Sequence, residues 1–262
     1  MMLRTLKVLF ALIRHSMLAE LEFRINALTN ALNTVVGMLL ALYFLDAMFS
    51  EIGMLGGWNL YQVLALFGVA LILEGLLEVW LFPSLHALSE QVRTGDLDYL
   101  LVRPVDSQFL VSCSKISLWE MPRVLIGAAV VIYAMYSEGA LGPGNLMAFV
   151  GLMVVGVAIF YSLFLITCTL SIWFVKIGDV WIISYTLMEI ARFPVTAFPQ
   201  TVRTVLTFLV PVYFVSNVPV SAAMGLVEWQ VVVGAVCFAV AFLGLSRVFW
   251  LFALRSYSSA SS

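Results

Sequence analysis

Three pairs of ionisable residues stand inside long apolar runs of this chain: Glu74 with Glu78, four apart, and Glu120 with Arg123 and Glu189 with Arg192, each three apart. On a helix those spacings put both members of a pair on one face. A charge at the centre of a bilayer costs about 2.5–3.5 kcal/mol on insertion scales, so each needs a partner or a function. Antiparallel neighbours would gather Glu74, Glu78, Glu120 and Arg123 into one cluster. That cluster reads either as a static ion-pair network orienting two helices or as a device coupling a cytoplasmic loop to the membrane helices. Glu189 and Arg192 stand half way along their run and are candidates for a translocation pathway or a dimer seam. The alternatives are an internal salt bridge, or a helix that ends at Pro194 and leaves Arg192 among the outer headgroups.

A second polar pattern lies nearer the start. Asn26, Asn30, Asn33 and Gly37 recur at four-, three- and four-residue spacing, which makes one polar or small stripe on an otherwise apolar helix. Amides in lipid bind helices together, so the stripe marks a helix contact or a pore-lining face.

Other chemistry is poorly provided for. His15 and His86 have no neighbouring His, Cys or acid at metal-ligand spacing. Both are expected in the cytoplasm, which leaves no membrane-embedded histidine to activate a serine. Cys113, Cys168 and Cys237 stand far apart and read as packed thiols. A phosphate-binding P-loop needs a Lys followed by Ser or Thr, whereas Lys7, Lys115 and Lys176 are followed by Val8, Ile116 and Ile177. With thirteen scattered Lys and Arg and a net charge of -2, no basic footprint for nucleic acid exists.

The elements that must hold these residues follow from hydropathy. Hydrophobic residues make up 63% of the 262 positions and charged residues 11%, far from the balance of a soluble domain. A helix needs about 20 mostly apolar residues to cross the hydrocarbon. Six candidate crossings result: Asn26 to Phe49, Leu60 to Phe82, about Ile116 to Tyr136, Leu146 to Val175, Val180 to about Phe198, and Val227 to Leu254. Pro194, Pro199, Pro211 and Pro219 follow or interrupt the fifth and predict broken or re-entrant helices over 194–225. Before the first crossing, Leu6, Leu9, Phe10, Ile13, Met17 and Leu21 form the stripe of an amphipathic helix lying in the interface over 1–25. The expected fold is thus an all-α integral membrane protein: one six-helix domain over 26–255, and a cytoplasmic tail over 256–262.

Orientation follows from the positive-inside rule. With both termini cytoplasmic, Arg4, Lys7, Arg14, Arg24, Arg93, Arg103, Lys176, Arg247 and Arg255 all fall inside or at the inner boundary. The loops at Ser50 to Asn59 and Ser137 to Asn145 hold no Lys or Arg. Tryptophan favours the headgroup level and agrees: Trp58 and Trp229 fall outside, and Trp80, Trp119, Trp173, Trp181 and Trp250 inside. The largest cytoplasmic connection runs from Pro83 to about Leu110, with a short amphipathic helix at Ser84 to Val92, a stop at Gly95, and a second helix ended by Pro104.

At this loop the chain resembles the permease subunits of bacterial ABC transporters of the type-two exporter class, in a branch of about 260 residues. The likeness rests on Gly95, Leu97, Asp98, Leu101, Arg103 and Pro104 in "GDLDYLLVRP", and on "LVPVYFVSNVP" from Leu209 to Pro219. It implies a coupling helix between helices two and three, with His86, Glu90, Arg93, Gly95, Asp96, Asp98 and Arg103 at the surface that meets an ATPase subunit. It also implies pairing with a second permease, the same or related, in the bacterial plasma membrane. ATP and magnesium then belong to cytosolic nucleotide-binding partners, and this chain carries no cofactor and no catalysis of its own. The competing readings are a stand-alone secondary carrier, although no repeat relates the halves, a membrane enzyme, and an assembly scaffold without transport.

Overall fold

The computed structural model describes residues 24–173 and 180–257. The interfacial helix expected over 1–25, Lys176 and the end of the tail lie outside these residues, as do the side chains of Asn26, Asn30, His86 and Arg93. All named elements among the described residues are helical.

The first, α1 (Arg24–Ile52), exposes Leu28, Leu32, Leu39 and Tyr43 along one face, as a lipid-facing helix does. α2 (Leu60–Leu76) starts at a capping box, in which Asn59 accepts from the Gln62 amide and the Gln62 side chain accepts from the Asn59 amide. It is the central helix. The apolar window of its span, Leu60–Val92, is 72% buried, against 17% for the first and last spans.

α2 does not stop near Phe82, as expected. It passes through a π turn (Leu77–Leu81) directly into α3 (Phe82–Thr94), so the amphipathic segment at Ser84 to Val92 is the far end of one long helix. Pro83 has no N–H to give to the carbonyl four residues back. That carbonyl, Val79, instead accepts from the Ser117 amide at 2.8 Å. Gly95 then ends α3 in the left-handed conformation, at φ 81°.

Two short helices follow, the expected α4 (Leu97–Leu101) and an unexpected α5 (Ser107–Ser112) capped by the Asp106 carboxylate on the Phe109 amide. The third long run begins as helix at Met121 rather than near Ile116, giving α6 (Met121–Ser137). The preceding backbone is occupied elsewhere. The buried Ser84 hydroxyl donates to the Lys115 carbonyl at 2.5 Å and accepts from the Lys115 amide at 3.1 Å, and Trp80 donates to the Ser112 carbonyl. Replacing Ser84 by Ala strands both Lys115 groups, which is expected to cost about 1–3 kcal/mol. Thermal unfolding in detergent reads that loss.

α7 (Pro143–Thr169, continued by a 3-10 turn at Leu170–Ile172) and α11 (Trp229–Ser256) lie close to their expected bounds. Between them, α8 (Val180–Ala191) is shorter than the fifth crossing expected to reach Phe198. Phe193 precedes Pro194, and the residue before a proline is driven out of the helical region. A 3-10 turn (Val195–Ala197) docks on the loop between α1 and α2, where the Thr196 hydroxyl donates to the Gly56 carbonyl at 2.7 Å. α9 (Gln200–Thr204, extended by a π turn to Leu209) and a second piece ending in α10 (Val218–Ala223) then meet at Pro211 with a bend of 76°.

Among the described residues four helices are long and apolar enough to cross a membrane, and the bent pair makes up to five, where the sequence predicts six crossings. α6, with 17 residues, is shorter than those four. The chain is therefore an all-α membrane protein.

Candidate functional site

The charges of the sequence converge on one place. A cavity of about 340 Å3 lies between α1, α2, α6 and the end of α8, lined by Asn33, Gly37, Met38, Phe67, Glu74, Arg123, Glu189 and Arg192 among others. Helix packing creates it. Gly68, Gly75 and Gly127 bring α2 and α6 so close that Glu74 and Arg123 share one layer. Pro194 ends α8 just beyond Arg192.

Glu74 is the hub. It is 5% exposed and holds two guanidinium groups: Arg192 Nη2 donates to its Oε1 at 2.5 Å, and Arg123 Nη1 lies 3.8 Å from its Oε2. Arg123 also pairs with Glu120 at 3.3 Å, and Arg192 lies over the ring of Phe67, 5.9 Å from its centroid. Such an arrangement compensates the buried Glu74 carboxylate and ties α2 to α6 and to the end of α8.

Two expected pairings change. Arg192 does not pair with Glu189 within α8 but crosses to Glu74, 118 residues away, and Glu189 faces the cavity exposed and without an ion pair among the described residues. Glu78 forms no direct ion pair with a described residue, although it lies in the field of Glu120, Arg123 and Glu74. Glu120 stands immediately before α6 rather than inside it. From the asparagine stripe, Asn33 and Gly37 line the cavity. Two sets of residues separated by the sequence reading, the intramembrane cluster and the pathway or seam residues, thus border one space.

The loop over 83–110 exposes Glu90, Asp96 and Arg103, with Tyr99 75% and Val102 84% exposed, an apolar tip outside the described apolar spans. Gly95 makes the turn, and Asp98 is half-buried.

The sequence reading missed how this loop is held. Asp106 receives both guanidinium nitrogens of Arg247 from α11, at 2.5 and 3.1 Å, and Arg247 also donates to Gln108 at 3.0 Å. Gln108 donates to the Tyr161 hydroxyl of α7, which is 2.8 Å from the Ser112 hydroxyl, and Trp80 stacks on Tyr161. Trp250, expected in the headgroups, is fully buried and donates to Ser107 at 3.1 Å. Desolvation pushes the Asp106 carboxyl up, but Arg247 and the Phe109 amide outweigh it and hold the group below the usual carboxylate range. A depressed carboxylate adds stability above its unfolded pKa that is lost as pH falls through the folded one. The pair therefore stays charged at neutral pH. Two signals could have found it: Asp106 two residues after Pro104, a helix-start signature, and Arg247 inside the last apolar run. Of the three thiols, Cys113 and Cys168 are buried, whereas Cys237 is exposed on α11, where lipid takes the place of packing.

No curated protein matches the chain. The family model described as "ABC-2 family transporter protein" matches residues 35–261, a stretch that contains most of the cavity lining, the loop over 83–110 and the bent pair. A multi-pass helical membrane domain with charged residues around an internal space and an organised loop at one end is what a transporter's permease component requires, and the chain belongs to the ABC-2 family of transporter proteins.

Proposed function

We propose that this chain is the permease subunit of an ATP-driven exporter, paired with a second permease of the same or related sequence and driven by separate cytosolic ATPase subunits. The observation that carries the reading is the cavity bordered by Glu74, Arg123, Glu189 and Arg192, because charges kept at membrane depth mark transport paths or helix seams. The family match supports a transport role, and a sequence in which no Lys is followed by Ser or Thr fits a reading that puts ATP and magnesium on a partner chain.

In this reading the chain crosses a bacterial inner membrane six times, with α6 and the α8 region completing the four longer spans, and both termini face the cytoplasm. The bent pair α9–α10 is a re-entrant element before the last crossing. The exposed loop tip at Tyr99, Val102 and Arg103 is the docking surface for the ATPase, and the outward direction follows from the resemblance to type-two exporters. Asn33 and Glu189 border the pathway where the second permease closes it.

Affinity purification in mild detergent, followed by mass spectrometry and an ATPase assay, tests this. A P-loop ATPase is expected with the chain, and its absence together with no hydrolysis in the complex would reject the reading. Changing Tyr99 to Asp, which leaves the core untouched, is expected to reduce recovery of that ATPase while leaving the yield of the permease unchanged.

A further inference from the structure

The loop over 83–110 is joined to the membrane helices in two ways. Its first limb, α3, is the uninterrupted end of α2. Its last limb, α5, is held to α7 and α11 by side chains alone. Those side chains divide again. Trp250 is fully buried, and Trp80 lies parallel to Tyr161 at 5.6 Å and 3°, so these aromatic contacts already seat α5. The Asp106 and Arg247 side chains are instead 44% and 41% exposed. An ion pair that open to solvent contributes little to stability. What it does provide is orientation, because a guanidinium fork on a carboxylate fixes both direction and distance.

We propose that Asp106 and Arg247 form a positioning pair through which displacement of the cytoplasmic loop is carried to α11, so that the last membrane helix follows the loop. Neither residue lines the charged cavity, and α11 is not among the helices that border it. The pair sits at the junction between the element offered to a partner and a helix that reaches the opposite end of the membrane domain. Loop movement thereby reaches α2 and α6 by backbone continuity and α11 through this fork, which sets direction where the Trp250–Ser107 hydrogen bond only seats α5. The inference rests on the transporter reading, since a partner must displace the loop.

Conservative changes isolate the pair. Asn caps a helix as well as Asp does, so D106N removes the charge while α5 keeps its cap. R247Q removes the other charge, R247K keeps a charge without the fork, and R255Q removes a positive charge from the same helix outside the pair. The measurement is amide hydrogen exchange by mass spectrometry on the complex with its ATPase, nucleotide-free and trapped with ATP and vanadate.

In the native complex, trapping is expected to change exchange both in the loop and at the cytoplasmic end of α11. In D106N, R247Q and the double variant the loop response should persist and the α11 response should be lost, equally in all three, as for two groups acting as one contact. R247K should weaken the α11 response, R255Q should leave it unchanged, and the melting temperature of every variant should match that of the native chain.

Persistence of the α11 response in D106N or R247Q would overturn the proposal, as would a native α11 that does not respond. Raised α11 exchange before nucleotide is added, with a lowered melting temperature, would reduce the pair to a structural contact and overturn it too. A loop that stays silent on trapping, or a preparation that holds no ATPase, would instead reject the transporter reading and the pair with it.

Discussion

Replacing Gly127 by Leu is expected to abolish recovery of folded protein, whereas Gly151→Ala is expected to leave yield and melting temperature unchanged or slightly raised. A Cβ at position 127 would lie 2.6 Å from the Gly68 carbonyl oxygen and 2.9 Å from the Ile72 amide nitrogen. Both are backbone atoms of the central helix, so neither can turn aside as the tip of a side chain would. The reciprocal contact is equally tight, with a Cβ at 68 meeting the Gly127 carbonyl at 2.8 Å. Overpacking a core costs about 1–3 kcal/mol where side chains can shift, and here whole helices would have to separate. In a membrane that separation is hard to offset, because lipid tails are as apolar as the side chains and close packing itself drives helix association. Position 151 has nothing within 4 Å of an added Cβ, and Ala is the better helix former. Monodisperse yield and thermal unfolding in detergent check both. Normal recovery of the Gly127 variant would show that α2 and α6 do not meet as described.

These glycines also mark what the sequence could and could not say. Long apolar runs made α1, α7 and α11 legible to within a few residues, because a span is a local property of composition. Proline gave a wrong boundary at position 83, since the carbonyl it leaves empty is filled by Ser117, 34 residues on, and no local pattern announces that partner. At Pro194 the alternative reading held: the fifth helix, expected to reach about Phe198, ends at Ala191, because nothing rescued the helix beyond the proline. The charged residues were found as a set, and the grouping of Arg123 with Glu74 and Glu120 holds, but Arg192 was offered only Glu189 as a partner. Spacing within a helix suggests local pairs, and Arg192 pairs across 118 residues, as Arg247 and Asp106 do across 141. Which helix faces which is decided by close approach at Gly68, Gly75 and Gly127, and small residues look alike in sequence whether they pack against a neighbour or against lipid.

Glu74→Ala should produce the largest loss among the charged residues. Glu74 is the one nearly buried acid in direct contact with both Arg123 and Arg192. Removing one partner of a buried pair while leaving the other costs about 3–5 kcal/mol, because the stranded charge keeps its desolvation penalty. Partial exposure of Arg192 moderates that, and Glu120 still serves Arg123, so the lower end of the range is expected. Glu189→Gln, at an exposed carboxylate with no ion pair among the described residues, should change the melting temperature little. The decisive comparison replaces Glu74, Arg123 and Arg192 together by Leu. Apolar replacement of a whole buried ion cluster is often neutral or stabilising, so folding should largely recover. If the cluster only fastens helices, ATP turnover by the co-purified complex in liposomes should recover with it. If the charges border the path, as proposed, the triple variant should be stable and show altered turnover. Stability and turnover measured on the same preparations thus separate a fastener from a pathway.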